Sequence, residues 1–268
     1  MYNLHLHTNY SDGVLSPLEL LKKLEENKIR NAAIADHDSV DAHLELRNTN
    51  YKDIYTGYLI PGSTEMKCTH DKYSIEVLGY FIDVDILKSY LDKKNRKINE
   101  FQKYAYEQGK RVCRKLNLMF DDIELTPGQF AGSSLFCLLN KYNKDNVKAM
   151  GEGYLENAST FYRRTFTNPE SPFYISEEEL GYTAKGEIDR IHEAGGLSFI
   201  AHTGQYKMIK DKLIFLKSLI KSTDIDGIEC YYPLHSEEQT RQYLEFCRKN
   251  NLLISGGSDF HGNPSQNI

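Results

Sequence analysis

Near the N-terminus, short apolar runs alternate with stretches of helical spacing. Tyr2-Asn3-Leu4 favours a strand and runs into His5-Leu6-His7, after which Asn9, Ser11 and Gly13 turn the chain. Ser16-Pro17 with Glu19 has the form of a helix N-cap, a first-turn proline and an acidic first turn. Leu18, Leu21 and Leu24 then share one face as far as Asn27. Ala32 to Ala35 reads as a short buried strand that stops at Asp36-His37-Asp38-Ser39, and Ser39 opens a helix to about Arg47. Tyr55 to Ile60 is the next predicted strand, closed by Pro61-Gly62 and followed by Glu65. Ile75 to Ile82 is another, with the polar Met66–Tyr73 stretch predicted as the connection between them.

From Asp85 to about Tyr174 the rhythm changes to long Lys-, Glu- and Tyr-rich stretches of helical spacing, broken at Thr126-Pro127-Gly128 and Gly151-Glu152-Gly153. Residues 85–174 therefore read as a helical insertion between two parts of one domain, 1–84 and 175–268. Helical spacing resumes at Thr183 and stops at Gly195-Gly196, and Leu197 to Ala201 is a strand that delivers His202. A helix is expected over Lys207–Lys221 and a strand over Gly227–Tyr232. Ser236-Glu237-Glu238-Gln239 is a capping box opening a helix to about Asn250, and the strand Leu252–Ser255 turns through Gly256-Gly257-Ser258 into Asp259 and His261. Strands alternating with helices predict an α/β fold with a parallel sheet. In a closed barrel of that kind the carboxyl ends of the strands converge on one mouth.

The candidate chemistry sits at those ends: His5 and His7, Asp36 and His37, Glu65, His202, His235, and Asp259 with His261. In a strand, residues i and i+2 point the same way, so His5 and His7 present two imidazoles side by side. Repetition of ionisable groups at nearly every strand end is hard to reconcile with core packing, because buried unpaired imidazoles and carboxylates are costly. Imidazole and carboxylate without thiolate suit Zn, Mn or Fe, and the supply of ligands points to two or three divalent ions. Ions roughly 3.5–4 Å apart are suited to phosphate ester hydrolysis.

Composition narrows the classes. The 268 residues are 40% hydrophobic and 26% charged, as in a globular protein, and the net charge of −5 supplies no global basic field for nucleic acid or anionic membrane. The five cysteines are scattered without a C-x-x-C pair, which argues against a disulfide framework and a thiolate zinc site; a cytoplasmic location is expected. No basic, apolar leader and no run near the roughly 18 apolar residues of a bilayer span is present, so neither export nor membrane insertion is expected.

His5-Leu6-His7, Ser11-Asp12-Gly13, Ala35-Asp36-His37-Asp38, Glu65, Leu78-Gly79-Tyr80-Phe81, Ala201-His202-x-Gly204, Gly227-Ile228-Glu229-x-Tyr231 and Gly257-Ser258-Asp259-Phe260-His261-Gly262 together resemble the PHP (polymerase and histidinol phosphatase) family, and more particularly its nucleotide-phosphatase-like branch. The resemblance implies a distorted (β/α)7 TIM-like barrel with a metal centre. It implies one ion on His5, His7, Glu65 and Asp259, a second shared by Glu65 with His202, and a third on Asp12, His37 and His261. Three departures stand out. Glu76 occupies a place where relatives carry His; as a ligand it favours Mn or Fe, and its alternative is a strand glutamate facing solvent. Gln205 stands where relatives have an arginine phosphate anchor, with Lys207 as a compensating cation. Gly132-Ser133-Ser134-Leu135 lacks the basic residues of the corresponding family step.

The expected activity is that of a phosphatase acting through a metal-bridging hydroxide on small phosphorylated metabolites or nucleotides, such as nucleoside 3′,5′-bisphosphates. The insertion would select the substrate, and a stable nucleic-acid complex is not expected. The alternatives are an exonuclease on short RNA or DNA and a catalytically impaired phosphate-binding protein. His235 is a candidate general acid or phosphate contact, or else a polar residue opening a helix. Arg163 and Arg164 are candidate phosphate contacts, with a solvated helix face as the ordinary reading. His43, His70 and His192 are expected to be surface or satisfied histidines, with His70 the one placed to reach the mouth. Asp36 and Asp38 are expected to orient imidazoles or cap a helix.

Overall fold

Among the described residues, eight strands form two sheets. β1 (Tyr2–Leu6), β2 (Asn31–Ile34) and β3 (Tyr58–Leu59) make a parallel sheet in that order. β4 (Ser63–His70), β5 (Tyr73–Tyr80), β6 (Leu197–Ile200), β7 (Gly227–Tyr231) and β8 (Leu253–Gly256) make the other. The computed structural model describes residues 1–126, 129–168, 170–176, 180–263 and 266–268. The predicted break at Thr126-Pro127-Gly128 falls partly outside them, at Pro127 and Gly128.

Sequence logic holds at three of the helix starts. In α1 (Pro17–Glu26) the Ser16 side chain caps Glu19 N–H while Glu19 caps Ser16, and Leu20, Leu21 and Leu24 are buried. α7 (Ala184–Glu193, following α2 to α6 below) is capped by Thr183, and α9 (Glu237–Asn250) by the Ser236–Gln239 capping box.

The second sheet corrects the parallel expectation: β4 pairs antiparallel with β5 and β5 antiparallel with β6, and only β6, β7 and β8 run parallel. The Met66–Tyr73 connection is also corrected. β4 continues to His70 and only Asp71 and Lys72 separate it from β5, because Met66 and Cys68 alternate inward into the core while Lys67 and Thr69 do not. The predicted strand Tyr55–Ile60 shortens to Tyr58–Leu59, since Tyr55 N–H bonds back to Tyr51 O in a preceding turn. The helix expected from Lys207 begins instead at Lys212, in α8 (Lys212–Ser222), because Asp211 supplies the cap to Ile214 N–H at 2.9 Å.

Neither sheet closes on itself. They meet through single bridges, Leu6 with Phe260 and His37 with Glu65. A small apolar cluster, Ala33, Ala35, Ile60, Leu78, Tyr80, Phe199 and Ala201, draws on both sheets, and larger clusters lie under α1 and α2 (Asp41–Arg47) and around α7, α8 and α9.

The chain divides into two units, residues 1–92 with 182–268, and residues 93–181. The second unit is helical: the continuation of α3 (Val84–Lys115), α4 (Ala131–Asn140), α5 (Asn143–Met150) and α6 (Ala158–Arg164). Its core is aromatic, with Phe161 packed against Phe136, Phe166 and Phe173. The Gly132–Leu135 step lies inside α4.

Candidate metal centre

His5 sits on β1 with no exposure, and His7 follows immediately. The strand pleat that puts them on one face brings their Nε2 atoms to Glu65 Oε2 at 3.1 and 3.4 Å, and to Asp259 Oδ1 at 3.5 and 3.1 Å. Glu65 lies on β4 and Asp259 just beyond β8, so one small volume collects ligands from three strand ends or starts. These four residues form an inner group. Asp259 adopts φ 54°, a left-handed backbone uncommon outside glycine, within the turn that carries its carboxylate to His7. Gly257 makes that turn possible: a Cβ there would lie 2.3 Å from His5 Cβ.

An outer, more exposed group adjoins it, formed by His7, Asp12, His37 and His261. Asp12 Oδ1 is 3.0 Å from His261 Nε2 and 3.8 Å from His7 Nδ1, and its Oδ2 is 3.7 Å from His37 Nε2. A neutral imidazole has one ring lone pair. The shorter distances of His7 Nε2 favour the inner group, which leaves Asp12, His37 and His261 to the outer one.

A third group is His37, Glu65 and Glu76. His37 Nδ1 is 3.2 Å from Glu65 Oε2, and His202 Nε2 lies 3.1 Å from Glu65 Oε1 and 3.5 Å from Glu76 Oε2. Glu76 therefore turns toward the cluster while its side chain stays partly exposed.

The electrostatics match a site built for cations. Burial pushes the His7 and His202 rings down in pKa, but the carboxylates outweigh it and both rise to about 9: Asp259 and Glu65 act on His7, and Glu65 and Glu76 on His202. Glu65 is pulled well below its ordinary range; its burial is overcome by His5, His37 and His202. Asp12 falls to about 2 despite desolvation, chiefly through His261. Glu76 is raised by burial and by the nearby Glu65. The donor set fits divalent ions on a further count: His5 Nε2, His7 Nε2 and Glu65 Oε2 are buried without hydrogen-bond partners, yet both nitrogens lie within 3.4 Å of that oxygen.

Other predicted residues lie elsewhere. His235 has both ring nitrogens engaged by backbone: Nδ1 is 3.1 Å from Cys230 O, and Nε2 accepts from Gly204 N–H at 3.1 Å. Both nitrogens are thus engaged by the loop and strand that flank it. Gln205 donates to Leu234 O at 3.4 Å, and Lys207 is exposed on the loop beyond it. Arg163 and Arg164 end α6 and are engaged within their own unit, Arg163 with Thr160 and Arg164 with Glu152 O and the Tyr154 ring.

Asp36 reaches an imidazole only through Ser11, whose Oγ lies 3.4 Å from His7 Nδ1. It accepts from Thr8 N–H at 2.7 Å, Thr8 Oγ1 at 2.6 Å and Ser11 Oγ at 2.7 Å, which holds the turn between His7 and Asp12. His43 is buried and contacts Ile34 O and Ser63, and His192 pairs with Asp226. His70 packs on Phe215 and Ser218 at the far end of β4 and does not turn toward the mouth.

Two residues that border the centre had no role assigned from sequence. Glu229, fully buried on β7, touches His5, and Tyr232 donates to Asp259 Oδ2 at 3.3 Å. The signal for the first was a lone carboxylate in the apolar run Gly227-Ile228-Glu229-Cys230.

No family model matches the chain. It is 24% identical over 274 residues to a 5′-3′ exoribonuclease of Escherichia coli, covering 97% of this chain and 85% of that one. It is 22% identical over 269 residues to a 3′,5′-nucleoside bisphosphate phosphatase of Chromobacterium violaceum, covering 97% and 86%. Its fold matches an amidohydrolase structure from Chromobacterium violaceum with a TM-score of 0.72 at 21% identity, over 99% of this chain and 89% of that one. With the motifs in order, their histidines and carboxylates gathered into adjoining ligand groups, and relatives aligned along nearly the whole chain, the protein is similar to metal-dependent phosphoesterases of the PHP type.

Proposed function

We propose that the chain hydrolyses phosphate esters at a centre of two or three divalent ions, Mn, Fe or Zn, set in a distorted seven-fold β/α barrel. The observation that carries this reading is the convergence of His5, His7, Glu65 and Asp259 around buried, unpartnered ligand atoms. His5, His7, Glu65 and Asp259 would hold the inner ion, Asp12, His37 and His261 the outer one, with Glu65, Glu76 and His202 toward a further position. Bound ions supply Lewis acidity, neutralising phosphoryl oxygens and lowering the pKa of water.

The chain's own residues supply placement. Asp36 fixes the turn that carries Asp12, and the Tyr232 hydroxyl steadies Asp259 from the side opposite His7. Lys207, exposed next to Gln205, is the cation we assign to a phosphate of the substrate, weaker than a bidentate arginine would be. The free thiols Cys68, Cys113, Cys230 and Cys247 are buried, which suits the reducing cytoplasm we assign to the protein.

The substrate we favour is a small phosphorylated nucleotide, as for the bisphosphatase relative. A second reading, exonucleolytic cleavage of short RNA, is favoured by the exoribonuclease relative of similar coverage. Turnover of a nucleoside 3′,5′-bisphosphate and of a 5′-phosphorylated oligoribonucleotide, measured side by side, separates the two. Failure on both sinks these two substrates, and bound metal without turnover of a generic phosphoester favours a catalytically impaired phosphate-binding protein.

A further inference from the structure

We propose that Glu229 is a positioning residue for the metal centre, its single carboxylate setting both the tautomer of His5 and the turn that carries His202. The proposal rests on the metal-centre reading above. Glu229 lies on β7 with no solvent exposure. Its Oε1 is 3.0 Å from His5 Nδ1, and its Oε2 accepts the backbone N–H of His202 at 2.7 Å.

The His202 N–H is a donor and His5 Nδ1 faces the other oxygen, where a ring proton would complete the pair, so the position suits a group with two acceptor oxygens. An ionised carboxylate is the side chain that meets this. With the Nδ1 proton of His5 committed to Glu229, the Nε2 lone pair is left free on the side of Glu65 Oε2 and Asp259 Oδ1. That is the nitrogen the inner group requires. The second oxygen acts on another strand end. The bond from the His202 backbone N–H to Glu229 holds that residue where its ring meets Glu65 Oε1. One buried acid thus ties the ligands of β1 and β6 through β7.

Glutamine is nearly isosteric with glutamate but carries one acceptor oxygen and one donor nitrogen. In Glu229→Gln, the amide either opposes the His202 N–H, donor against donor, or faces His5. In the second case His5 must accept at Nδ1 and carry its proton on Nε2, where it blocks the ion.

The experiment measures Zn2+ affinity by competition with a chromophoric chelator for the wild type and Glu229→Gln, with thermal unfolding of both metal-free chains. We expect Glu229→Gln to bind Zn2+ about 10- to 100-fold more weakly while its metal-free unfolding remains cooperative. Equal, tight affinity in both chains overturns the proposal alone, whereas a wild type that takes up no Zn2+ overturns the metal-centre reading together with it. Should Glu229→Gln not fold, 15N NMR of the zinc-loaded wild type decides. A His5 ring protonated at Nδ1 supports the proposal, and a proton on Nε2 overturns it.

Discussion

His7 is the residue on which the two nearest ligand groups turn, because its Nε2 faces Glu65 and Asp259 while its Nδ1 faces Asp12. His7→Ala should therefore lose the inner ion and disturb the outer one, whereas His261→Ala should spare the inner ion. Elemental analysis of the purified variants reads the difference, and equal losses would reject this division. Gly257→Ala makes the complementary case for backbone. Its Cβ would meet the His5 backbone nitrogen at 2.5 Å and Cβ at 2.3 Å, so we expect about 1–3 kcal/mol of destabilisation by urea unfolding and weaker metal uptake. Most of the candidate ligands were legible in the sequence because each is an ionisable group closing an apolar run, a placement that burial penalises unless it has a partner. His235 met the same description, and there the partner is backbone: Cys230 O and Gly204 N–H. Sequence shows that a histidine needs a partner but not which one, since Gly204 is 31 residues away. For the same reason Glu229 was visible as a motif residue but not as the neighbour of His5, 224 residues distant.

At the level of elements, local signals carried as far as local interactions do. Capping boxes at Ser16 and Ser236 marked helix starts that the structure keeps, since a cap is satisfied within its own turn. Ser16→Ala should cost about 1 kcal/mol in urea unfolding and leave metal content unchanged; loss of metal in that variant would mean that α1 is coupled to the site. Strand direction was not legible. The two-residue turn at Asp71-Lys72 makes β4 and β5 antiparallel, and the polar residues of β4 masked its inward alternation of Met66 and Cys68. The two sheets joined by single bridges at Leu6–Phe260 and His37–Glu65 are likewise long-range pairings that no local pattern announces. The late start of α8 at Lys212 was local and still missed, because Asp211 sits within a run whose helical spacing continues on both sides.

For the molecule as a whole, the cluster of buried histidines and carboxylates predicts a pH signature. In the metal-free chain His7 and His202 are raised from 6.5 to about 9. Their contribution to stability is therefore fully present below pH 6.5 and is lost as pH rises through 9. The melting temperature of the metal-free protein should fall across that window, and zinc uptake at pH 7.5 should release protons, read by calorimetry in buffers of different ionisation enthalpy. Uptake without proton release would contradict protonated ligands. Salt separates the two substrate readings: an RNA held through roughly 6–10 phosphate contacts loses affinity by about 10³-fold or more between 50 and 200 mM salt, while a single nucleotide responds weakly. The central claim, that the convergent histidines and carboxylates hold the ions of a phosphoesterase, is tested most directly by measuring bound metal and phosphoester hydrolysis together on the wild type and His7→Ala. The account predicts at least two divalent ions per wild-type chain with hydrolysis that a chelator abolishes, and a folded His7→Ala chain lacking both. Full hydrolysis by His7→Ala, or by a chelated wild type, would contradict it.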